Sequence, residues 1–146
     1  MGAFWLTRQG PSVARFMQPS PLMTPEELKA RTTDFGADVA RFTTQLRRRP
    51  EARSMADQLT DSATAVPSNY RSACRARSHR EFVSKLSVAL EEADESVGWL
   101  EILVKSGLVG APEVESLLDE ARQLVAILGA SRRTAEERRR PRKRDQ

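Results

Sequence analysis

Residues 66–103, VPSNYRSACRARSHREFVSKLSVALEEADESVGWLEIL, decide the fold. They hold the end of one amphipathic helix, a tight turn and nearly all of the next helix. Ser78–His79–Arg80–Glu81 reads as a capping box, in which a serine hydroxyl and a glutamate three residues on satisfy the free amides of a helix start. From there Phe82, Leu86, Ala89, Leu90, Ala93, Val97, Leu100 and Val104 recur at helical spacing. Such a stripe belongs to a helix with one buried face. Gly107 is a suitable C-terminal stop.

Working outward, Thr24–Pro25–Glu26–Glu27 is a second helix start, with a threonine cap, proline at the first helical position and a glutamate to complete the box. Leu28, Phe35, Val39, Phe42 and Leu46 form its stripe, and Arg47–Arg49 followed by Pro50 end it. A further helix is expected from about Glu51 to Arg77, with Met55, Leu59, Ala63, Val66, Tyr70 and Ala73 inward. Pro67 inside it removes one backbone hydrogen bond, at about 3 kcal/mol unless relieved, and predicts a bend or two abutting helices. A last helix begins near Pro112, carries Val114, Leu117, Leu118, Ala121, Leu124, Val125 and Leu128, and runs to about Arg133 or beyond.

Four such helices with short connections predict an all-α fold, an antiparallel up-down-up-down four-helix bundle. The bundle is expected over residues 24–135, after a disordered extension at 1–23 and before a basic tail at 136–146. Met23, immediately before the first cap, is an alternative start to Met1.

Composition narrows the function. Of 146 residues, 30% are charged and 5% aromatic, which suits helices built on Leu, Ala and Val. The net charge of +4 is uneven: residues 132–146 hold eight bases and three acids, giving +5, and the remainder gives −1. A basic tail is an electrostatic handle for phosphate, or a solubilising segment. The single cysteine, Cys74, excludes an internal disulfide and suits a reducing compartment. No apolar run approaches the roughly 20 residues of a membrane span. A cytoplasmic protein that does not engage membranes is expected.

Topology and helical wheels then locate the charges. In this topology the turn after the second helix lies at the same end as both termini. Arg71, Arg75, Arg77 and Arg80 should therefore join Arg132, Arg133, Arg138, Arg139 and Arg140. Arg71 and Arg75, four residues apart on one face, repel each other and call for an anion. That anion is either Glu91 or Glu95, from this chain or a neighbouring copy, or phosphate. On the third helix Val88, Glu91, Glu95, Trp99 and Ile102 lie opposite the core stripe. An apolar strip among acids on an outer face predicts a subunit interface.

Catalytic and metal-binding patterns are missing. The acids Glu91, Glu92, Asp94 and Glu95 have no accompanying Glu-x-x-His, and the single histidine, His79, falls in a turn. No phosphate loop, dinucleotide fingerprint or paired-cysteine motif occurs. Cys74 reads as a packed thiol. The expectation is a protein without enzymatic activity, cofactor or metal.

The segments ELKARTTDFGADVARF, QLTDSATAVPSNYR, NYRSACRARSHREFVSKLSVALEEADESVGWLEILVKSGLV and ESLLDEARQLVAILGASRRTA together resemble the 23S rRNA intervening sequence (S23) protein family over about residues 26–135. The resemblance implies a small four-helix bundle that assembles as a homo-oligomer, typically a pentamer. It marks Asn69, Tyr70, Arg71, Cys74, Arg75, Glu91, Glu92, Asp94, Glu95 and Trp99 as structural or interface positions, and implies no catalytic residue. A related branch resembles the accessory variability determinant of diversity-generating retroelements, which implies nucleic acid and a reverse transcriptase as partners. The nearly neutral bundle here departs from that basic branch. Two functions follow as expectations: an oligomeric RNA-binding or nucleoprotein scaffold, or a protein–protein adaptor without nucleic acid.

Overall fold

The computed structural model describes residues 23–139, and the expectations for 1–22 and 140–146 fall outside them. Four α-helices follow in order: α1 (Pro25–Leu46), α2 (Arg53–Cys74), α3 (His79–Lys105) and α4 (Ala111–Arg139). A short 3-10 turn, Pro50–Ala52, joins α1 to α2. Sequential helices pack along their lengths, while α1 and α4 meet over a shorter stretch. The fold is the expected antiparallel four-helix bundle.

Local chemistry sets the boundaries. The Thr24 hydroxyl accepts from Glu27 N at 3.2 Å and the Glu27 carboxylate accepts from Thr24 N at 2.7 Å, a complete capping box. At α3 the box is displaced. Ser78 Oγ accepts from Glu81 N at 3.1 Å, but Glu81 Oε2 accepts from Arg77 N, one residue earlier than the motif predicts. The same carboxylate thereby pins the preceding turn. That turn occupies residues 75–78, so α2 ends at Cys74, short of Arg77. At the far end Gly107 adopts φ +75°, a left-handed conformation that a side chain disfavours, and the chain reverses into α4.

The core is built from Leu28, Phe35, Val39, Leu59, Val66, Tyr70, Leu86, Leu100, Leu103, Val114, Leu124 and Leu128, all 4% exposed or less. Each such large side chain contributes about 1.5–3 kcal/mol by leaving water. On α3 the buried face is turned from the expected stripe. Ser96 and Leu103 are fully buried, while Leu90, Val97 and Val104 are half-buried. Small residues explain the rotation. Ala56, Ser62, Ala63 and Ala73 on α2 and Ala89, Ala93 and Ser96 on α3 are all buried. Ser62 Oγ and Ser96 Oγ lie 3.0 Å apart, so the two backbones approach closely there.

Pro67 neither splits α2 nor ends it; the helix is continuous from Arg53 to Cys74. The carbonyl deprived of its helical donor is that of Ala63. A Cβ on Gly36 of α1 would lie 3.4 Å from this oxygen and 3.6 Å from Thr64 Cα. Gly36 thus lies against the proline site, with room there for a methyl in ordinary van der Waals contact. The hydroxyls of Ser62 and Thr64 near it bond elsewhere: Ser62 to Leu59 O and Ser96, Thr64 to Thr60 O and Asp61 O.

The close α1–α2 crossing makes a specific demand on residue 36. Gly36→Val should destabilise the bundle by about 1–3 kcal/mol, the usual cost of overpacking. Gly36→Ala should be neutral or stabilising, because the methyl makes ordinary contacts and alanine gains helix propensity. Urea unfolding followed by circular dichroism measures both.

Candidate nucleic-acid interface

The expected arginines do share one end of the molecule. Arg71 and Arg75 lie at the end of α2, Arg77 in the turn, and Arg80 in the first turn of α3. Arg132, Arg133, Arg138 and Arg139 lie in the last turns of α4. The two groups are tied by His79 Nε2 and Ala135 O, 2.8 Å apart, which docks the end of α4 on the α2–α3 turn. Ala76 and Ala135 are both buried beside this contact. Arg140 lies outside the described residues.

The reach of α4 adds to this end. Arg31 of α1 faces Glu120 of α4, and α1 begins at Pro25. Counting about six residues back along α1, and the same along antiparallel α4, brings the start of α1 level with about Ala126. The remaining residues of α4, to Arg139, extend roughly 20 Å farther at 1.5 Å per residue. The helix thus continues four residues into the stretch expected as tail.

Pairing separates the two ends. Among the described residues, the side chains of Arg71, Arg75, Arg77, Arg80, Arg133, Arg138 and Arg139 are exposed and form no ion pair. Only Arg132 is matched, by Glu136 at 3.3 Å. At the opposite end Arg47 binds Asp57 at 2.6 Å and Thr60 at 2.9 Å. Arg49 binds Glu51 at 3.1 Å and also donates to Leu108 O, so only Arg48 of that triplet lacks an ion pair. Arg47 and Arg49 fasten connections, whereas Arg48 and the near arginines face water.

The expected compensation of Arg71 and Arg75 by Glu91 or Glu95 within the chain does not occur. Arg71 Nη2 reaches Thr33 Oγ1 at 3.4 Å instead. The Ser62–Ser96 contact sets the register of α2 on α3, and it places Glu91 and Glu95 a turn or more away along the bundle.

Val88, Glu91, Glu95, Trp99 and Ile102 fall together on the outer face of α3. Glu91 and Glu95 are exposed, Val88 and Trp99 half-buried, and Ile102 is 46% exposed, a large apolar side chain left in water. Trp99 Nε1 donates to Glu95 Oε1 at 3.1 Å, so the indole lies along the acidic row. Glu92, at the edge toward α2, has its pKa pushed up by partial burial and then by Glu95, Glu91 and Asp61. Asp61 on α2 was not singled out by the sequence, since only the register between helices brings it to this patch. No group of three His, Cys, Asp or Glu among the described residues is placed to hold a metal ion.

Cys74 is 1% exposed beneath the basic end, next to Tyr70 one turn earlier. Burial raises the pKa of both groups, so the thiol stays protonated and packed despite the neighbouring cations. Asn69, expected at the core edge, is half-buried and donates to Ala65 O at 2.9 Å. None of the described helices is long and apolar enough to cross a membrane.

These features define a class: a small all-α bundle with an unneutralised arginine end and an acidic, partly apolar flank. The sequence model described as 23S rRNA-intervening sequence protein matches residues 27–130, and the chain belongs to that family. Among solved structures, one similar chain is a protein of unknown function from the S23 ribosomal protein family of Bacteroides thetaiotaomicron. It is 26% identical, with a TM-score of 0.67 over 70% of this chain and 95% of that one. No curated protein matches.

Two consequences are measurable. The raised pKa of Glu92 means that its ionised form is disfavoured in the fold. Its penalty is complete above the folded pKa and is relieved as pH falls through that value toward the ordinary carboxyl pKa. Glu92→Gln should therefore raise the melting temperature at pH 7, and the gain should vanish near pH 4, where both forms are neutral; a thermal series across that range reads it. The Cys74 thiol should react with Ellman's reagent in denaturant but not in the native protein at pH 8.

Proposed function

We propose that this protein is a non-enzymatic, oligomeric RNA-binding or nucleoprotein scaffold whose arginine end meets the phosphate backbone. The observation that carries the reading is the difference between its ends. Seven exposed arginines without ion pairs gather at one end among the described residues, while at the other end Arg47 and Arg49 fasten the fold and Arg48 alone of the triplet lacks an ion pair. Holding like charges together costs free energy unless an anion joins them. Guanidinium suits phosphate because its planar fork donates two parallel hydrogen bonds. The association with 23S rRNA that the family's name carries supports RNA as the anion.

Assembly belongs to the same reading. The outer face of α3, with Val88 before and Trp99 and Ile102 after the acids Glu91 and Glu95, is the surface proposed to meet another copy of the chain. The exposed Ile102 also favours a second reading, in which this face recruits a different protein and the arginines only solubilise. A partner that remains bound after nuclease treatment and is released by Ile102→Glu would support that adaptor.

Binding through the arginine end should depend steeply on salt. If all seven unpaired arginines met duplex phosphates, log K would fall against log salt with a slope of about −6, or about −5 on a single strand. Replacing Arg71 and Arg75 by Gln should reduce the slope by about 1–2 and weaken binding in proportion. Fluorescence anisotropy with labelled RNA from 50 to 300 mM KCl tests this. Affinity indifferent to salt and to these substitutions would remove the phosphate reading.

A further inference from the structure

Resting on that reading, we infer that the arginine end is built for double-stranded rather than single-stranded nucleic acid. Its described surface supplies charge in two fixed groups and no aromatic platform. Phe35, Tyr70 and Phe82, the aromatic residues nearest this end among the described residues, are 1%, 2% and 3% exposed and belong to the core. Trp99 is 20 residues along α3 from His79, about 30 Å at 1.5 Å per residue, and its ring nitrogen is bound to Glu95. His79 is held against Ala135 O. Binders of single strands gain about 1–3 kcal/mol for each base stacked on an aromatic side chain. This surface lacks that source of affinity.

What it offers is spacing. One group, Arg71, Arg75, Arg77 and Arg80, stands on the α2–α3 turn; the other, Arg133, Arg138 and Arg139, stands on α4. The His79–Ala135 contact and the buried Ala76 and Ala135 prevent the two from moving independently. Packed helix axes lie about 8–10 Å apart, and the side chains extend the span further. A duplex presents two rigid phosphate rows across a groove, and proteins that read such shape use contacts on both sides of it. Two rigid cationic groups fit two rigid rows without first ordering a flexible strand, which carries its own entropic cost. Both RNA and DNA duplexes display such rows, so the 2′-hydroxyl determines whether one of them is favoured.

The test uses the full chain with 20-base-pair RNA and DNA duplexes and 20-nucleotide unstructured single strands, in competition at 150 mM KCl. At least one duplex should bind tenfold or more tightly than either single strand. Replacing either arginine group by Gln should remove most of the preference, because each alone meets only one row. The preference should persist in full-length Phe4→Ala, Trp5→Ala, Phe16→Ala protein, which removes the aromatic residues preceding Met23. Equal or tighter binding of single strands overturns the duplex inference alone. Loss of the preference in the triple variant overturns it too, by assigning recognition to those aromatics. Absence of binding to every form, by protein with a native circular dichroism spectrum, overturns both this inference and the proposed function.

Discussion

The close seam between α2 and α3 sets the geometry on which the rest of the bundle depends. Ser62 and Ser96 touch through their hydroxyls, fully inside, with Ala56, Ala63 and Ala73 on α2 and Ala89 and Ala93 on α3 also buried. Each hydroxyl also has a backbone acceptor in its own helix, Leu59 O for Ser62 and Glu92 O for Ser96, so neither is unsatisfied and the two helices meet at the distance that small side chains permit. The register of the two helices determines where the α2–α3 turn falls, and therefore where Arg75, Arg77 and Arg80 stand. It also brings Asp61 beside Glu92. A second hydroxyl pair, Thr43 with Thr60 at 2.7 Å, repeats the device between α1 and α2.

The seam also separates what the sequence discloses from what it conceals. Caps, helix order and the general position of the core are local properties, and Thr24, Ser78 and the Leu–Val stripes disclose them. The rotation of α3 is not local. A wheel ranks Leu90, Val97 and Val104 above Ser96 by hydrophobicity, but a close crossing selects for small size. Ser96 is innermost because Ser62 approaches it from another helix, and no periodicity within α3 records that. Pro67 is similar. The surroundings of its site include Gly36, some thirty residues earlier, which brings α1 against Ala63 O and Thr64. At the candidate site, topology alone gathered the arginines at one end. Their lack of ion pairs became apparent only when the acids were placed. Sequence spacing kept Glu91 and Glu95 as partners for Arg71 and Arg75; the register removed them.

The α1–α4 contact has a different character. It is short, and a polar clasp secures it: Arg31 bonds Glu120 through two nitrogens at 2.6 and 3.0 Å and Gln123 at 2.6 Å. The hydrogen bond to Glu120 strengthens the hold of Arg31 on its proton, against a smaller opposing effect of burial. A bidentate pair of this kind fixes direction as well as distance. It fixes α1 against α4, whereas the sequential pairs α1–α2, α2–α3 and α3–α4 meet over longer stretches.

The distribution of charge gives the protein a polarity. Uncompensated positive charge collects at one tip, acids occupy the flank of α3, and most of the arginine triplet at the other tip is matched within the chain. Such a body is an electric dipole. In the field of a polyanion it experiences a torque before any contact forms, and it turns its arginine tip forward while the α3 flank is held away. Encounters are thereby selected by orientation as well as by frequency. The same torque keeps the Trp99–Ile102 surface outward while the opposite sign of charge is engaged.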